Sequence, residues 1–256
     1  MITTKYMINS KLLNFSQESP MRIVQLSDLH KKRFGDGNSK LIQKVRELRP
    51  DIIIITGDMV SRTTTDLSDL KKLISGIKKT ADIYYSLGNH EKDLKKISPS
   101  VYKNLIKFLK KHVHLLDNTT ETIKFRDNQI NITGLTIYQD CYKKNGRYKD
   151  LRKLSADDVS ALAGNKKPGF NILLAHNPVF FESYSEYGSE LILSGHVHGG
   201  IIRLPFIGGL LSPERKFFPE YSSGIFQSGN SAMIVSRGLG KFRLFNPSEI
   251  ILIEIV

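Results

Sequence analysis

Two histidines one residue apart, His196 and His198, close the run Leu191-Ile192-Leu193-Ser194-Gly195-His196-Val197-His198-Gly199-Gly200. An aliphatic run that stops at Ser-Gly reads as a buried strand emptying into a turn. Imidazoles at i and i+2 in a non-helical turn can approach one point from two sides, and the glycines let the backbone bend around it. Four other apolar runs end the same way, in Ser27-Asp28-Leu29-His30, Thr56-Gly57-Asp58, Gly88-Asn89-His90-Glu91 and His176-Asn177-Pro178. Five of the seven histidines sit at such ends, and only His112 and His114 do not. Packing gives no reason for histidines to collect where strands run out. Carboxylate and amide oxygens mixed with imidazole nitrogens, without thiolate, suit Mn, Fe, Zn or Co rather than Ca or an iron-sulfur cluster. The set exceeds what one ion needs, and two ions sharing a bridging carboxylate would use all of it.

The elements that must position these residues alternate in type. Residues 2 to about 9 suggest an edge strand, and Met21-Arg22-Ile23-Val24-Gln25-Leu26 a first core strand. Asn38 is placed to cap a helix with Leu41, Ile42, Val45 and Leu48 on one face, closed by Pro50. Ile52-Ile53-Ile54-Ile55 is apolar on both faces, as a parallel strand covered by helices should be. A helix from Asp66 to Lys79, a strand from Ile83 to Leu87 and a helix from Ser100 to Lys111 follow. The stretch Val113–Leu135 holds short strands around Asp-Asn turns, so antiparallel members are expected there. Gln139–Leu154 reads as a polar surface loop, and Ser155-Ala156-Asp157-Asp158 opens a helix with a capping box. Asn171–Ala175 is a strand, Val179–Tyr187 a helix, Gly224–Ser236 a hairpin and Glu249–Ile255 a last strand. In such α/β sheets, ligands gather at the carboxyl ends of the strands, so distant residues can converge. No repeat or linker divides the chain, and residues 1–256 read as a single domain.

Lys plus Arg number 38 against 25 acidic residues, a formal charge of +13 that favours anionic partners. The excess is +10 over residues 1–128 and +3 over the rest, scattered as Lys-Lys pairs on expected helix faces. It reads as solvated surface, or as attraction to a phosphate-rich substrate or an anionic membrane face. The lone Cys141 excludes an intramolecular disulfide and reads as an incidental thiol. No apolar run is long enough to span a membrane and no signal peptide is visible, so the chain as written reads as cytoplasmic or membrane-peripheral. An anchor preceding Met1 stays open. Basic-aromatic interleaving of the kind that stacks bases is missing, which argues against nucleic acid. Oligomeric state is not legible.

Asp28-x-His30, Gly57-Asp58, Gly88-Asn89-His90-Glu91, His176 and Gly195-His196-x-His198 together resemble the complete motif set of the calcineurin-like metallophosphoesterases. Singly, Asp28 and Asp58 could be helix caps and Asn89 a turn residue; in this order the bland readings fail together. The resemblance implies a four-layer αββα sandwich with mixed sheets and a metal-dependent hydrolase of phosphomonoester, phosphodiester or pyrophosphate bonds. It implies one metal on Asp28, His30 and His198, a second on Asn89, His176 and His196, and Asp58 bridging both. His90 would then be no ligand but the group that steadies phosphoryl charge and protonates the leaving oxygen.

Finer details look like the membrane-associated bacterial branch of that family. They are Arg33-Phe34-Gly35, the stretch from Gly199 to Leu210, and Ser236-Arg237-Gly238-Leu239-Gly240. This favours a lipid-linked pyrophosphate such as a UDP-diacylglucosamine. The rivals are a phosphodiesterase on cyclic nucleotides or nucleic acid, and a non-catalytic basic scaffold. Arg62 and Arg237 are the candidate phosphate contacts. The apolar stretch Ile201–Leu211 with Phe217-Phe218-Pro219 either packs on the sheet or forms a rim for acyl chains or a bilayer. One departure matters: many family members read Gly-Asp-x-x-Asp-Arg, whereas this chain has Gly57-Asp58-Met59-Val60-Ser61-Arg62. Ser61 brings no negative charge, so the support of His90 is open, with Asp66 or Asp69 as substitutes. Glu91 could orient a ligand or begin a helix.

Overall fold

The computed structural model describes all residues except Asn145, Ile201 and those at 205–207, 212–216 and 241–243. In chain order its elements are β1 (Ile2–Ile8), β2 (Met21–Leu26), α1 (Ser39–Glu47), β3 (Ile52–Ile55), α2 (Ser68–Ile77), β4 (Asp82–Ser86), α3 (Asn89–Ile97) and α4 (Pro99–His112). Then come β5 (His114–Leu116), β6 (Thr119–Phe125), β7 (Asn128–Leu135), α5 (Ala156–Ala163), β8 (Phe170–Ala175), α6 (Phe181–Tyr187) and β9 (Leu191–Ser194). The last are β10 (Ile202–Leu204), β11 (Gly208–Leu211), β12 (Gly224–Ser228), β13 (Ser231–Val235) and β14 (Glu249–Ile255).

One six-stranded sheet runs β1-β14-β2-β3-β4-β5 and the other β12-β13-β9-β8-β7-β6. β2 to β5 are parallel, with β14 antiparallel beside β2. In the second sheet β13, β9, β8 and β7 are parallel and the edges β12 and β6 antiparallel. Side chains alternate faces along a strand, which explains the four consecutive isoleucines of β3. Ile52 and Ile54 enter an interior shared with Ile132, Ile172 and Leu193 of the other sheet. Ile53 and Ile55 meet Leu41, Leu73 and Leu109 of α1, α2 and α4. A third interior sets Leu173, Ile192 and Met233 against Val159 of α5 and Tyr184 of α6. Three apolar interiors thus separate four layers, the αββα sandwich that the motifs imply.

Two local readings are corrected and one unassigned segment proves helical. Asn38 does not cap α1: it sits at φ 64° and its Oδ1 accepts from the Phe34 N–H at 3.0 Å, closing the loop before the helix. The residues after β4 are the first turn of a helix, α3, hidden from periodicity because its apolar residues are only Leu94 and the exposed Ile97. Gln139–Leu154 is not all surface, since Cys141, Tyr142 and Leu154 are buried in the third interior. That burial pushes the Cys141 thiol up to about 11, which rules it out as a nucleophile near neutral pH. The Ser155 capping box forms as expected, with Ser155 Oγ accepting from Asp158 N–H at 3.1 Å. Of the apolar stretch after Gly200, residues 201 and 205–207 lie outside the described residues, and β10 and β11 pair as a small antiparallel ribbon. Among the described residues, no helix is long and apolar enough to cross a membrane.

Candidate metal centre

Asp28 and His30 follow β2, Asp58 follows β3, Asn89 and His90 open α3 after β4, His176 follows β8, and His196 and His198 follow β9. Each sheet therefore delivers part of the set from its carboxyl edge. Asp28, His30, Asp58, His196 and His198 all adopt left-handed φ, between 53° and 68°. For a non-glycine residue that conformation is strained, and such strain clusters where side chains must be aimed. Glycines supply the clearance. A Cβ at Gly88 would collide with Asp58 Oδ1, and one at Gly195 with Ser27 Oγ and Asp28 Oδ2.

The side chains fall into groups with ligand atoms mutually within 4.8 Å: Asp28, His30 and His198; Asp58, His176 and His196; and His30, Asp58 and His90. His30 Nε2 lies 3.3 Å from His198 Nε2, and Asp28 Oδ1 is 3.6 Å from the latter. His176 Nε2 is 3.2 Å from Asp58 Oδ2 and 3.9 Å from Asp28 Oδ1. Ligands about 2.1 Å from one ion sit roughly 3.0–3.4 Å from each other, so these spacings suit coordination. His176 Nε2, Asn89 Oδ1 and His30 Nδ1 are buried polar atoms that lack a hydrogen bond. Water and protein would not leave such atoms bare at this cost, whereas a cation would use two of them directly. His176 Nδ1 faces the Thr56 carbonyl at 2.6 Å and must donate to it, which turns the Nε2 lone pair toward Asp58. The residues present therefore fit a pair of cations.

The electrostatics agree. Burial alone would raise Asp58, but the imidazoles of His176, His90 and His30 outweigh it and hold the carboxyl well below its usual range. Asp28 is likewise lowered against burial, by His198 and His176. Burial would lower His176, yet Asp58 and then Asp28 bring it up to about 10. Without metal His176 is thus an imidazolium at neutral pH, and a cation must displace its proton. Metal uptake at pH 7 should release protons, measurable by calorimetry in buffers of different ionisation enthalpy, and affinity should rise with pH. The folded pKa exceeds the unfolded value of 6.5, so the metal-free protein should lose this stabilisation as pH climbs from about 6.5 through 10. Thermal unfolding across that range checks the sign.

Glu91 settles into both of its expected roles. It starts α3 by accepting from Gly88 N–H at 3.0 Å, and it also accepts from Asp58 N–H at 2.9 Å, Met59 N–H at 2.8 Å and the Tyr85 hydroxyl at 2.8 Å. It orients the Asp58 loop without approaching a metal position. Burial and then the Asp58 charge push it up to about 7 against those bonds. Glu91→Gln places an NH2 among N–H donors and should cost about 2–4 kcal/mol in denaturant unfolding, with weakened metal retention.

His90 is supported by neither Asp66, which bonds Ser68, nor Asp69, which pairs with Arg33. The Arg62 N–H donates instead to His90 Nδ1 at 3.1 Å, and the Arg62 guanidinium stands 3.0 Å from His90 Nε2. Asp93 holds that guanidinium at 3.0 Å and accepts from Gln139 at 2.7 Å. Burial first, with help from His30 and Arg62, lowers His90 to about 4 despite Asp58. Arg237 lies behind the His198 turn: its N–H donates to Glu249 at 2.9 Å and its Nε is 3.5 Å from the same carboxylate. The sequence reading missed Tyr142, whose ring packs edge-on 5.0 Å from His196, and Gln139, because polar loop composition carries no signal of depth, and it missed Asp93, which lies on the unrecognised helix α3. His114 pairs with Glu121 at 2.9 Å and His112 packs on Phe108, away from the site as expected.

A family model described as calcineurin-like phosphoesterase matches residues 21–200. The metallophosphoesterase YkuE of Bacillus subtilis is 31% identical over 251 residues, covering 94% of this chain and 79% of that protein. The UDP-2,3-diacylglucosamine pyrophosphatase LpxG of Chlamydia muridarum is 26% identical, with 92% and 84% covered. The phosphodiesterase YaeI of Escherichia coli is 26% identical, with 98% and 88% covered. A Thermus thermophilus crystal structure superposes with a TM-score of 0.51 at 11% identity, covering 86% of this chain and 90% of that one, a likeness of fold alone.

Proposed function

The chain belongs to the calcineurin-like phosphoesterases, and on that premise we propose that residues 1–256 form one dinuclear hydrolase of phosphodiester or pyrophosphate bonds. The observation that carries this reading is Asp58, 1% exposed, whose ligand atoms lie within 4.8 Å of those of His176 and His196 on one side and of His30 on the other. Asp28, His30 and His198 would hold one ion, Asn89, His176 and His196 the other, and Asp58 both. Such a pair of Mn, Fe, Zn or Co ions supplies an acidified water and neutralises phosphoryl charge for in-line attack.

The chain's own groups then have distinct tasks. Because His90 Nδ1 accepts from the Arg62 N–H, the neutral ring carries its proton on Nε2, a tautomer assigned from that bond. Nε2–H and the Arg62 guanidinium are then two donors only 3.0 Å apart, a repulsive contact that a phosphoryl oxygen would relieve by accepting from both. His90 Nε2–H is placed to hydrogen-bond a phosphoryl or leaving oxygen and steady its developing charge, while outright proton transfer would require the imidazolium. Arg62 is the better-placed phosphate contact, and Arg237, tied to Glu249, would act through the His198 turn.

Two clefts with different linings reach the cluster. One of about 360 Å³ runs from His30 past Lys31, Arg33, Thr63 and Thr65. The other, of about 120 Å³, lies over His90 and His196 beneath Arg62, Lys143 and Tyr148. A substituent on each side of phosphorus suits a diester or pyrophosphate better than a monoester. The LpxG relative and the apolar stretch after His198 support a lipid-linked substrate such as a UDP-diacylglucosamine. Metal-stripped protein reloaded with Mn, Fe, Zn or Co should hydrolyse bis-p-nitrophenyl phosphate faster than p-nitrophenyl phosphate. No diester turnover at two ions per chain would leave the non-catalytic scaffold standing.

A further inference from the structure

The segment 143–149 carries Lys143, Lys144, Arg147 and Lys149 and no acidic residue. It folds back on itself as a tight arm, in which Lys144 and Arg147 exchange backbone hydrogen bonds of 3.0 and 2.8 Å. Successive side chains on such a pair alternate faces. Lys143 and Tyr148 accordingly line the cleft over His90 and His196, while Lys144, Arg147 and Lys149 surround a separate recess of about 310 Å³.

The root of the arm is tied to the groups around His90. The Lys143 N–H donates to the Gln139 carbonyl at 3.0 Å, the Gln139 amide donates to Asp93 at 2.7 Å, and Asp93 holds the Arg62 guanidinium that faces His90. On the returning side the Arg152 N–H donates to the Asp140 carbonyl at 3.1 Å, and its guanidinium stacks 3.6 Å from the centroid of Tyr138. Lys143 forms no ion pair among the described residues, and its Nζ stands 5.4 Å from the centroid of Tyr148. A cation–π contact holds an ammonium over the ring without neutralising it. The two carboxylates lining the same cleft are engaged elsewhere, Asp58 with His176 and Asp93 with Arg62. The Lys143 ammonium is therefore held in place with its charge unmet.

In the hydrolase reading the cations and Arg62 meet the charge of the attacked phosphoryl group. A pyrophosphate brings a second negative phosphate one bridging oxygen further on, which a simple diester lacks. Held in a cleft, that phosphate needs a cation of its own. The wider cleft past His30 suits it less well, because Arg33 is taken there by Asp69 and Lys32 by the Ser248 hydroxyl, and Asp66 adds a negative charge.

We infer that Lys143, steadied by Tyr148, binds the phosphate next to the attacked one and so makes the site selective for pyrophosphates over simple phosphodiesters. The inference rests on the hydrolase reading for the position of the attacked phosphorus, and it chooses between two substrate classes which that reading leaves open. The probes are the methyl esters of UMP and of UDP, which differ by one phosphate. Their inhibition of bis-p-nitrophenyl phosphate turnover by the metal-loaded chain gives two affinities, whose ratio is the readout. The parent should bind the UDP ester at least about tenfold more tightly than the UMP ester, the worth of one charge-assisted hydrogen bond. Lys143→Gln should abolish that preference and Lys143→Arg restore it, with thermal unfolding of both at the parental temperature. Tyr148→Phe should keep the preference and Tyr148→Leu lose part of it. A parent that binds both esters alike, or a Lys143→Gln variant with the parental ratio, overturns the inference. So does a ratio lost in Lys31→Gln instead, which would assign the second phosphate to the cleft past His30. If the metal-loaded parent turns over no diester, the hydrolase reading falls by itself, and equilibrium dialysis of the two esters still judges Lys143.

Discussion

Asp58→Asn should cost the protein at least one of the two ions proposed for it and lower diester turnover by about a thousandfold or more, since such ions stabilise the transition state by several kcal/mol. Asparagine keeps the shape and an oxygen for the His90 N–H, which Asp58 Oδ1 accepts at 2.7 Å, so the backbone should hold. What goes is charge. Two dications bring +4, and the groups proposed to hold them include only two carboxylates, Asp28 and Asp58. Asp58 Oδ2 also lies 3.2 Å from His176 Nε2, and an amide NH2 turned that way would compete with a cation for the lone pair. Elemental analysis of the purified variant, beside turnover with excess metal, separates weak binding from a lost chemical role. Two ions retained at parental turnover would show that nothing is bridged by Asp58.

The layer order was legible because each strand announces which faces it buries. Ile52-Ile53-Ile54-Ile55 can be apolar throughout only between helices and a second sheet, and both are there. The convergence of Asp28, His30, Asp58, His176, His196 and His198 was legible for a related reason: parallel strands put their carboxyl ends on one edge, so ligands far apart in sequence become neighbours.

What stayed hidden depends on backbone torsion and depth, which composition does not encode. Asp and His tolerate left-handed φ better than most residues, but residue type alone does not say that Asp28 and His198 adopt it, nor that Gly88 and Gly195 let Asp58 and Asp28 pack so closely against them. Tyr142 sits in a stretch with the composition of a surface loop, yet it is 6% exposed, since Cys141, Leu154 and Tyr142 roof the interior between β7 and α5. Ser61 marked the missing carboxylate near His90 correctly. The replacement could not be foreseen, because a main-chain N–H has no sequence signature.

That replacement shapes the last expectation. His90→Ala should retain the two proposed ions and lose about 10²- to 10³-fold in turnover, the usual worth of one donor aimed at transition-state charge. The ring contacts Arg62 through both nitrogens and stands 4.0 Å from Asp58 Oδ2, so the two proposed ligand sets survive without it. His30, Asp58 and His90 could themselves cage an ion, and elemental analysis decides between these roles: one ion lost would make His90 a ligand. Turnover adds a sharper criterion. A carboxylate at Nδ1 would have favoured imidazolium, whereas the Arg62 N–H fixes a neutral ring with its proton on Nε2, and burial lowers its pKa to about 4. Such a ring can hydrogen-bond developing phosphoryl charge through Nε2–H, but giving up that proton would leave an imidazolate. The loss should therefore be similar for an alkyl phosphodiester and for bis-p-nitrophenyl phosphate, whose leaving group is stable as an anion. A much larger loss on the alkyl diester would mean that His90 is protonated during turnover and hands a proton to the leaving oxygen.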